Sequence, residues 1–125
     1  MTENAAMYSI RYHKPGRFVC LTWLPGTAGM TDQDFKEALE VFADCALQHH
    51  AERLMIDVTE FRARPSAAVL TWRDEVIVPK YNLAGVKKLA WVWPGEPGDT
   101  ATGEDSQYTN RYFSTPDEAL AWIAA

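Results

Sequence analysis

The chain has 125 residues, 47% hydrophobic and 12% aromatic, with a net charge of −5 from 12 basic and 17 acidic side chains. That fits one domain with a single core and excludes a disordered chain, while the acidic balance disfavours nucleic-acid binding, which needs a basic surface to neutralise phosphate. No run approaches the about 18 apolar residues of a membrane span, and residues 1–8 lack the charged-then-apolar build of a signal peptide, so a cytoplasmic protein is the simplest expectation.

In chain order, residues 1–6 read as a frayed tail. Met7 to His13 alternates in part, with Tyr8, Ile10 and Tyr12 on one face. Lys14-Pro15-Gly16-Arg17 is a turn, and Phe18 to Leu24 a second strand, so the two runs form a β-hairpin at a sheet edge. Pro25 to Met30 is a loop. Thr31 opens the strongest helix: Thr31 and Asp34 have the spacing of a capping box, and acidic residues in the first turn suit the helix dipole. Phe35, Leu39, Phe42 and Ala46 form its apolar stripe, widened by Ala38, Val41 and Cys45, and it ends near His49-His50.

Arg53 to Val58 is the central feature, a nearly all-apolar run with one acid. It reads as a strand buried on both faces. Asp57 falls at its carboxyl end, where open α/β sheets place their sites. Thr59 to Pro65 is a loop. Ser66 caps a helix to about Val78 in which Val69, Trp72 and Val76 share a face, and Pro79 ends it. Residues 81–85 turn the chain into a strand over Val86 to Trp93, with both faces covered. Pro94 to Asn110 is a long loop rich in Gly, Pro and acids, expected to be mobile. Arg111-Tyr112-Phe113 is a short last strand. Thr115-Pro116-Asp117-Glu118 starts a final helix, with Ala119, Leu120 and Ile123 inward and Trp122 at their flank.

The order ββ-α-β-α-β-β-α implies an α/β fold of residues 1–125. Its sheet is mainly parallel with right-handed crossovers, flanked by helices and edged by an antiparallel hairpin. The two cysteines are too few and too far apart for a disulfide framework and are expected as reduced, buried thiols.

The ordered series Trp23-x-x-Gly26, a capped helix, Leu54-x-Ile56-Asp57, the Trp72 helix, Gly85-Val86-Lys87-Lys88-Leu89-Ala90 and Phe113-x-x-x-x-Glu118-Ala119-x-x-Trp122 resembles the small bacterial STAS-like proteins. These are related to anti-sigma-factor antagonists and to SEC14-type lipid-binding domains. The resemblance runs from Met7 onward and implies a fold and a binding role rather than a chemistry. The antagonist branch carries a phosphorylated serine, in an Asp-Ser-Ser-Gly-like motif, near the start of the helix after the central strand. Here that region reads Thr59-Glu60-Phe61-Arg62-Ala63-Arg64-Pro65-Ser66 and lacks the motif, so Ser66 is expected to be an unmodified cap.

Six residues are candidate ligand contacts. Asp57 is either a ligand-binding carboxylate or an acceptor for the amides of the next loop. Arg62, Arg64 and Ser66 either hold a phosphate or carboxylate at a helix N-terminus or belong to a solvated loop. Trp72 and Trp91 belong to a set of five tryptophans, more than a small core readily hides, so some are expected in a pocket or an interface.

No metal or cofactor is expected. Cys45 and His49 share a helix face but make only two ligands of a zinc site. No catalytic constellation stands out, since there is no Gly-x-Ser-x-Gly elbow, nothing ties His13 to Ser66 or Cys20, and Glu60 needs a pocket to act as a base.

The expected function is a non-catalytic binding or regulatory domain acting through protein contacts, self-association into a homodimer over the Trp72 helix included. The alternative is a small apolar or lipid-like ligand held between helix 66–78 and the sheet; an anionic ligand is a further candidate partner, at Arg62, Arg64 and Ser66. An enzyme acting on an acidic small molecule ranks third. A cavity beneath Trp72 and Trp91 favours the ligand; a flat exposed aromatic patch favours the protein partner.

Overall fold

The computed structural model describes residues 7–13, 16–93 and 108–124. They form a five-stranded sheet in the order β1-β2-β3-β4-β5. Strands β1 (Tyr8–His13) and β2 (Phe18–Trp23) are antiparallel, and β3 (Arg53–Asp57), β4 (Lys88–Val92) and β5 (Thr109–Phe113) continue parallel to β2. The α/β class, the edge hairpin and the mainly parallel sheet are therefore as the sequence implies. The hairpin register pairs Tyr8 with Trp23 and Ile10 with Leu21, which sets all four side chains on one buried face.

Helix α1 (Asp32–His49) begins as its sequence predicts. The Asp34 N–H donates to Thr31 Oγ1 at 3.1 Å, and the Thr31 N–H donates to Asp34 Oδ2 at 3.0 Å. His50 closes the helix in the left-handed region. The stripe Phe35, Ala38, Leu39, Phe42 and Ala46 is buried. His49 stacks flat on Tyr12, with centroids 3.8 Å apart, so this helix face is engaged by the edge strand.

The two central strands are covered on both sides. Leu54 and Ile56 of β3 and Leu89 and Trp91 of β4 join the cluster beneath α1; Met55, Ala90 and Val92 join Phe18, Ala119 and Ile123 on the opposite face. That opposite face is closed by α4 (Pro116–Ala124), whose Thr115 hydroxyl accepts from the Glu118 N–H at 3.3 Å. Leu120, expected inward, is exposed, because Ala119 and Ile123 alone define the buried stripe.

The largest difference from the sequence reading lies in the helix after β3. Pro79 does not end it. Helix α2 (Ala67–Trp72) passes through a wide turn over Arg73–Ile77 and continues as α3 (Val78–Ala84). In the wide turn the Val78 N–H reaches back five residues to the Arg73 carbonyl. This register change places Pro79 in the first turn after it, where a missing N–H and a fixed φ are tolerated. Gly85, at φ 90°, then supplies the left-handed cap. The wide turn also rotates the buried face. Val69, Arg73, Ile77, Tyr81 and Ala84 point inward, whereas the expected face of Val69, Trp72 and Val76 leaves Trp72 half-buried and Val76 exposed.

Strand β5 begins at Thr109, and Tyr108 before it is buried, so the connecting segment is shorter at this end than the expected loop to Asn110. The expected tail, 1–6, and residues 94–107 of that loop lie outside the described residues. No helix among the described residues is long and apolar enough to cross a membrane.

Candidate functional site

Among the described residues, the helical layer does not close on the sheet at the carboxyl ends of β2, β3 and β4. A cavity of about 580 Å³ opens there. Its sheet-side wall is Trp23, Ile56, Val58, Trp91 and Trp93; Phe35 and Leu39 of α1 and Leu70, Arg73 and Tyr81 of the 67–84 helix face them. The loop after β3 completes it with Thr59, Phe61, Ala63, Arg64 and Pro65. Thr59 and Arg64 are the exposed residues of this lining and mark its rim. In α/β sheets the strand ends and the loops that follow them are where a ligand meets both a rigid floor and adaptable polar groups.

The aromatic walls are braced against one another. Trp23 stacks on Phe35 at 5.6 Å and tilts against Phe61 at 4.9 Å. Trp91 meets Trp93 edge-on at 6.0 Å and lies over Tyr112 at 5.9 Å. The Trp91 indole N–H donates to Asn110 Oδ1 at 3.0 Å, which satisfies its polar edge and fixes the ring. Such offset and edge contacts hold large rings in place without filling the space between the two groups.

The loops are pinned by Thr27, which no sequence pattern within 25–30 singles out. It sits in the short 3₁₀ turn Pro25–Gly29 and is fully buried. Its hydroxyl donates to the Leu24 carbonyl at 2.8 Å and accepts the Arg62 N–H at 2.8 Å. One side chain thus joins the β2–α1 connection to the β3–α2 loop and sets where Phe61 and Arg64 stand.

The six predicted contacts separate. Trp91 and Arg64 line the cavity. Asp57 ends β3, but its Oδ1 accepts the Thr59 N–H at 2.9 Å, and it does not line the space. Arg62 turns outward and pairs with Glu60 at 3.2 Å. Ser66 caps α2, accepting the Val69 N–H at 3.1 Å and donating to Asp32 Oδ2 at 2.6 Å. A phosphate on Ser66 would face that carboxylate. Arg62, Arg64 and Ser66 therefore do not converge. Trp72 is not on the cavity wall; the Lys36 ammonium lies 5.4 Å from its ring centroid, so it packs toward α1.

In their place the structure brings in Arg73. Its guanidinium is buried, lines the cavity, and donates through Nε and Nη2 to Asp74 Oδ1 at 3.2 and 3.1 Å. The signal was in the spacing Val69, Arg73, Ile77, Tyr81, a four-residue repeat that carries Arg73 inward with its apolar neighbours. Burial pushes the Tyr81 phenol well above its ordinary pKa of 10.0; Tyr108 adds to the rise and Arg73 opposes it. Tyr112 is raised as well, by desolvation against the pull of Arg73, and its buried hydroxyl has no hydrogen-bond partner among the described residues. The cavity thus has an aromatic body with a cationic and phenolic side.

Both thiols are free. Burial raises the Cys20 pKa, with a lowering hydrogen bond from Thr22 and a smaller rise from Asp57, and burial raises that of Cys45. Neither is set up as a nucleophile, which needs a lowered pKa or an adjacent base. Among the described residues no group of three or more His, Cys, Asp or Glu side chains could hold a metal ion. Compared with known proteins, the chain matches no family model, no curated protein and no solved structure.

Proposed function

We propose that this domain binds a small, largely apolar ligand, non-catalytically, between the 67–84 helix and the sheet. The observation that carries this is the aromatic-walled space of about 580 Å³ at the strand ends. Protein interiors are close-packed, and a space of this size has the volume of a ligand site rather than of a packing defect. The STAS-like kinship, with its lipid-binding relatives, is part of the same proposal and is supported by the element order and the antiparallel edge hairpin. Two free thiols accord with a reducing, cytoplasmic setting.

Contact with a protein partner, or with a second copy of the chain, is the second reading. Its support is Leu83, 78% exposed, together with Val76 on the outer side of the same helical stretch. No tryptophan among the described residues is exposed, so the flat aromatic patch that would favour this reading over the cavity is missing there.

The test is titration with N-phenyl-1-naphthylamine, a neutral dye that brightens in apolar surroundings. The wild type should bind it with micromolar affinity. Ala63→Trp, which places an indole at the half-buried loop wall, should weaken binding by about tenfold or more while thermal unfolding stays cooperative. A wild type that leaves the dye dark, or an Ala63→Trp variant that binds it as tightly, ends the proposal.

A further inference from the structure

Resting on that cavity reading, we infer that the ligand is a flat aromatic compound, a fused ring system held between two groups of rings, rather than an alkyl chain. The placement of the walls is the first argument. The sheet order sets β3 between β2 and β4. Thr22 and Val92 both stand in register with Asp57, so Trp23 and Trp93, the next residues, are level with Val58 on either side of it. Trp91 stands in register with Ile56, one pleat earlier. Alternation turns the three tryptophans to the α1 face, where they belong to or pack on the same cluster. Two aromatic walls therefore rise from β2 and β4 over an aliphatic floor of Ile56 and Val58.

The second argument is the width between those walls. Two strand spacings separate them at the backbone, about 9.5 Å. That span divides into two steps of about 4.7 Å, at the near end of the range of about 4.5–7 Å over which ring centroids pair. One layer of flat ring fits such a slot, and a puckered saturated ring, being thicker, fits it less well. Each wall is braced within itself, Trp23 by Phe35 and Phe61, Trp91 and Trp93 by Tyr112. Among the described residues no ring pairing joins one group to the other, so their facing surfaces are available to a ligand.

The third argument is the chemistry of the walls. Aromatic rings have negative faces and positive edges, so they favour another ring over a saturated body of the same size. Trp91 meets Trp93 at 61° between planes, so that wall offers both a face and an edge. A rigid ring system also loses no internal rotations on binding, whereas an alkyl chain gives up freedom at every bond it fixes. The space of about 580 Å³ accommodates fused rings rather than a single one.

The dye is displaced by three alcohols: 2-naphthalenemethanol, its decahydro counterpart and decanol. Each carries one hydroxyl on a body of similar size. The saturated two are the more apolar, so transfer from water alone ranks the naphthyl compound last. In wild type it should rank first, displacing the dye at about one-fifth the concentration that either saturated alcohol needs, the scale of an added ring pair. Trp93→Leu and Phe61→Leu each remove a half-buried ring, one from each wall. Each should bring the three alcohols within about twofold of one another while unfolding stays cooperative. Saturated alcohols that displace the dye from wild type as well as the naphthyl one overturn this inference and leave the cavity reading in place. A naphthyl preference that persists unchanged in a folded Trp93→Leu and a folded Phe61→Leu also overturns it. The wild-type ranking decides alone if neither variant folds. A wild type that leaves the dye dark overturns the cavity reading and this inference with it.

Discussion

The two faces of the sheet solve the same problem differently. Beneath α4, Met55, Ala90 and Val92 meet Ala119 and Ile123, with Phe18 at the margin. Two of those six side chains are alanine, which lets the helix come close. On the other face the sheet meets α1 and the 67–84 helix through Trp23, Phe35, Tyr81 and Trp91, and the layers part at the strand ends to leave the cavity. Large rings braced against one another prop that space open. The lesson is that tryptophan count alone does not report core size: three of the five tryptophans, Trp23, Trp91 and Trp93, line the space.

Truncation on each face is the strongest way to break this contrast. Ile123 of α4 is 1% exposed, and Ile123→Ala should cost about 2–5 kcal/mol in urea melts. Leu39 is similarly buried, but it lines the cavity, so fewer of the described residues pack against it on that side. Leu39→Ala should therefore fall at or below the low end, about 2 kcal/mol, because fewer dispersion contacts are lost. A Leu39→Ala loss equal to or above that of Ile123→Ala would mean that the large face packs solidly and the cavity is not a persistent space.

The next effect sharpens the contrast at the loops. Thr27→Val keeps the shape but leaves the Arg62 N–H without the acceptor it has at 2.8 Å. The expected cost is about 1–3 kcal/mol, since that donor and the Leu24 carbonyl both lose the bonds that Thr27 makes. Dye affinity should fall along with it, since Thr27 ties together two loops that frame the cavity. Thr115→Ala is the matched control on the other face. It removes the α4 cap, should cost about 0.5–2 kcal/mol, and should leave dye binding untouched. Equal effects of the two variants on dye affinity would show that global stability, not loop position, governs the site.

How much of this was legible in sequence depends on the range of the physics. The capping box at Thr31, the buried central strand and the Pro116 helix start are local patterns, and each formed as written. Trp91 and Arg64, which line the cavity, were legible in the same way, because an alternating strand and a basic loop also show locally. Arg73 was not. Periodicity at an ordinary helical turn made Val69, Trp72 and Val76 the inner face and Pro79 the end, whereas the wide turn over Arg73–Ile77 shifts that face. Thr27 escaped for a different reason: its partner Arg62 is 35 residues away, and no local rule points to it.

The smallest expected effect is also confined to the cavity face. Tyr81 lies fully buried against Phe42 and Tyr108, with Arg73 the nearby cation, and its folded pKa is well above 10.0. In the unfolded chain the same phenol titrates near its ordinary value. Below about pH 9 both states keep the proton, and the contribution to stability is fully present. As pH rises through 10 the unfolded state loses its proton while the folded state keeps it, so the unfolded state binds fewer protons and stability falls. By about pH 10.5 the loss should be on the order of 1 kcal/mol. Cys20, Cys45 and Tyr112 shift in the same direction, so the wild-type curve alone is ambiguous. The difference between wild type and Tyr81→Phe is not. Urea melts from about pH 8 to 10.5 should show the two stabilities holding a constant offset up to about pH 9 and then converging or crossing, as only the wild type carries the extra loss. Parallel curves across the whole range would mean that Tyr81 ionises as readily folded as unfolded, and that the cavity floor is wetter than the packing around Phe42 implies.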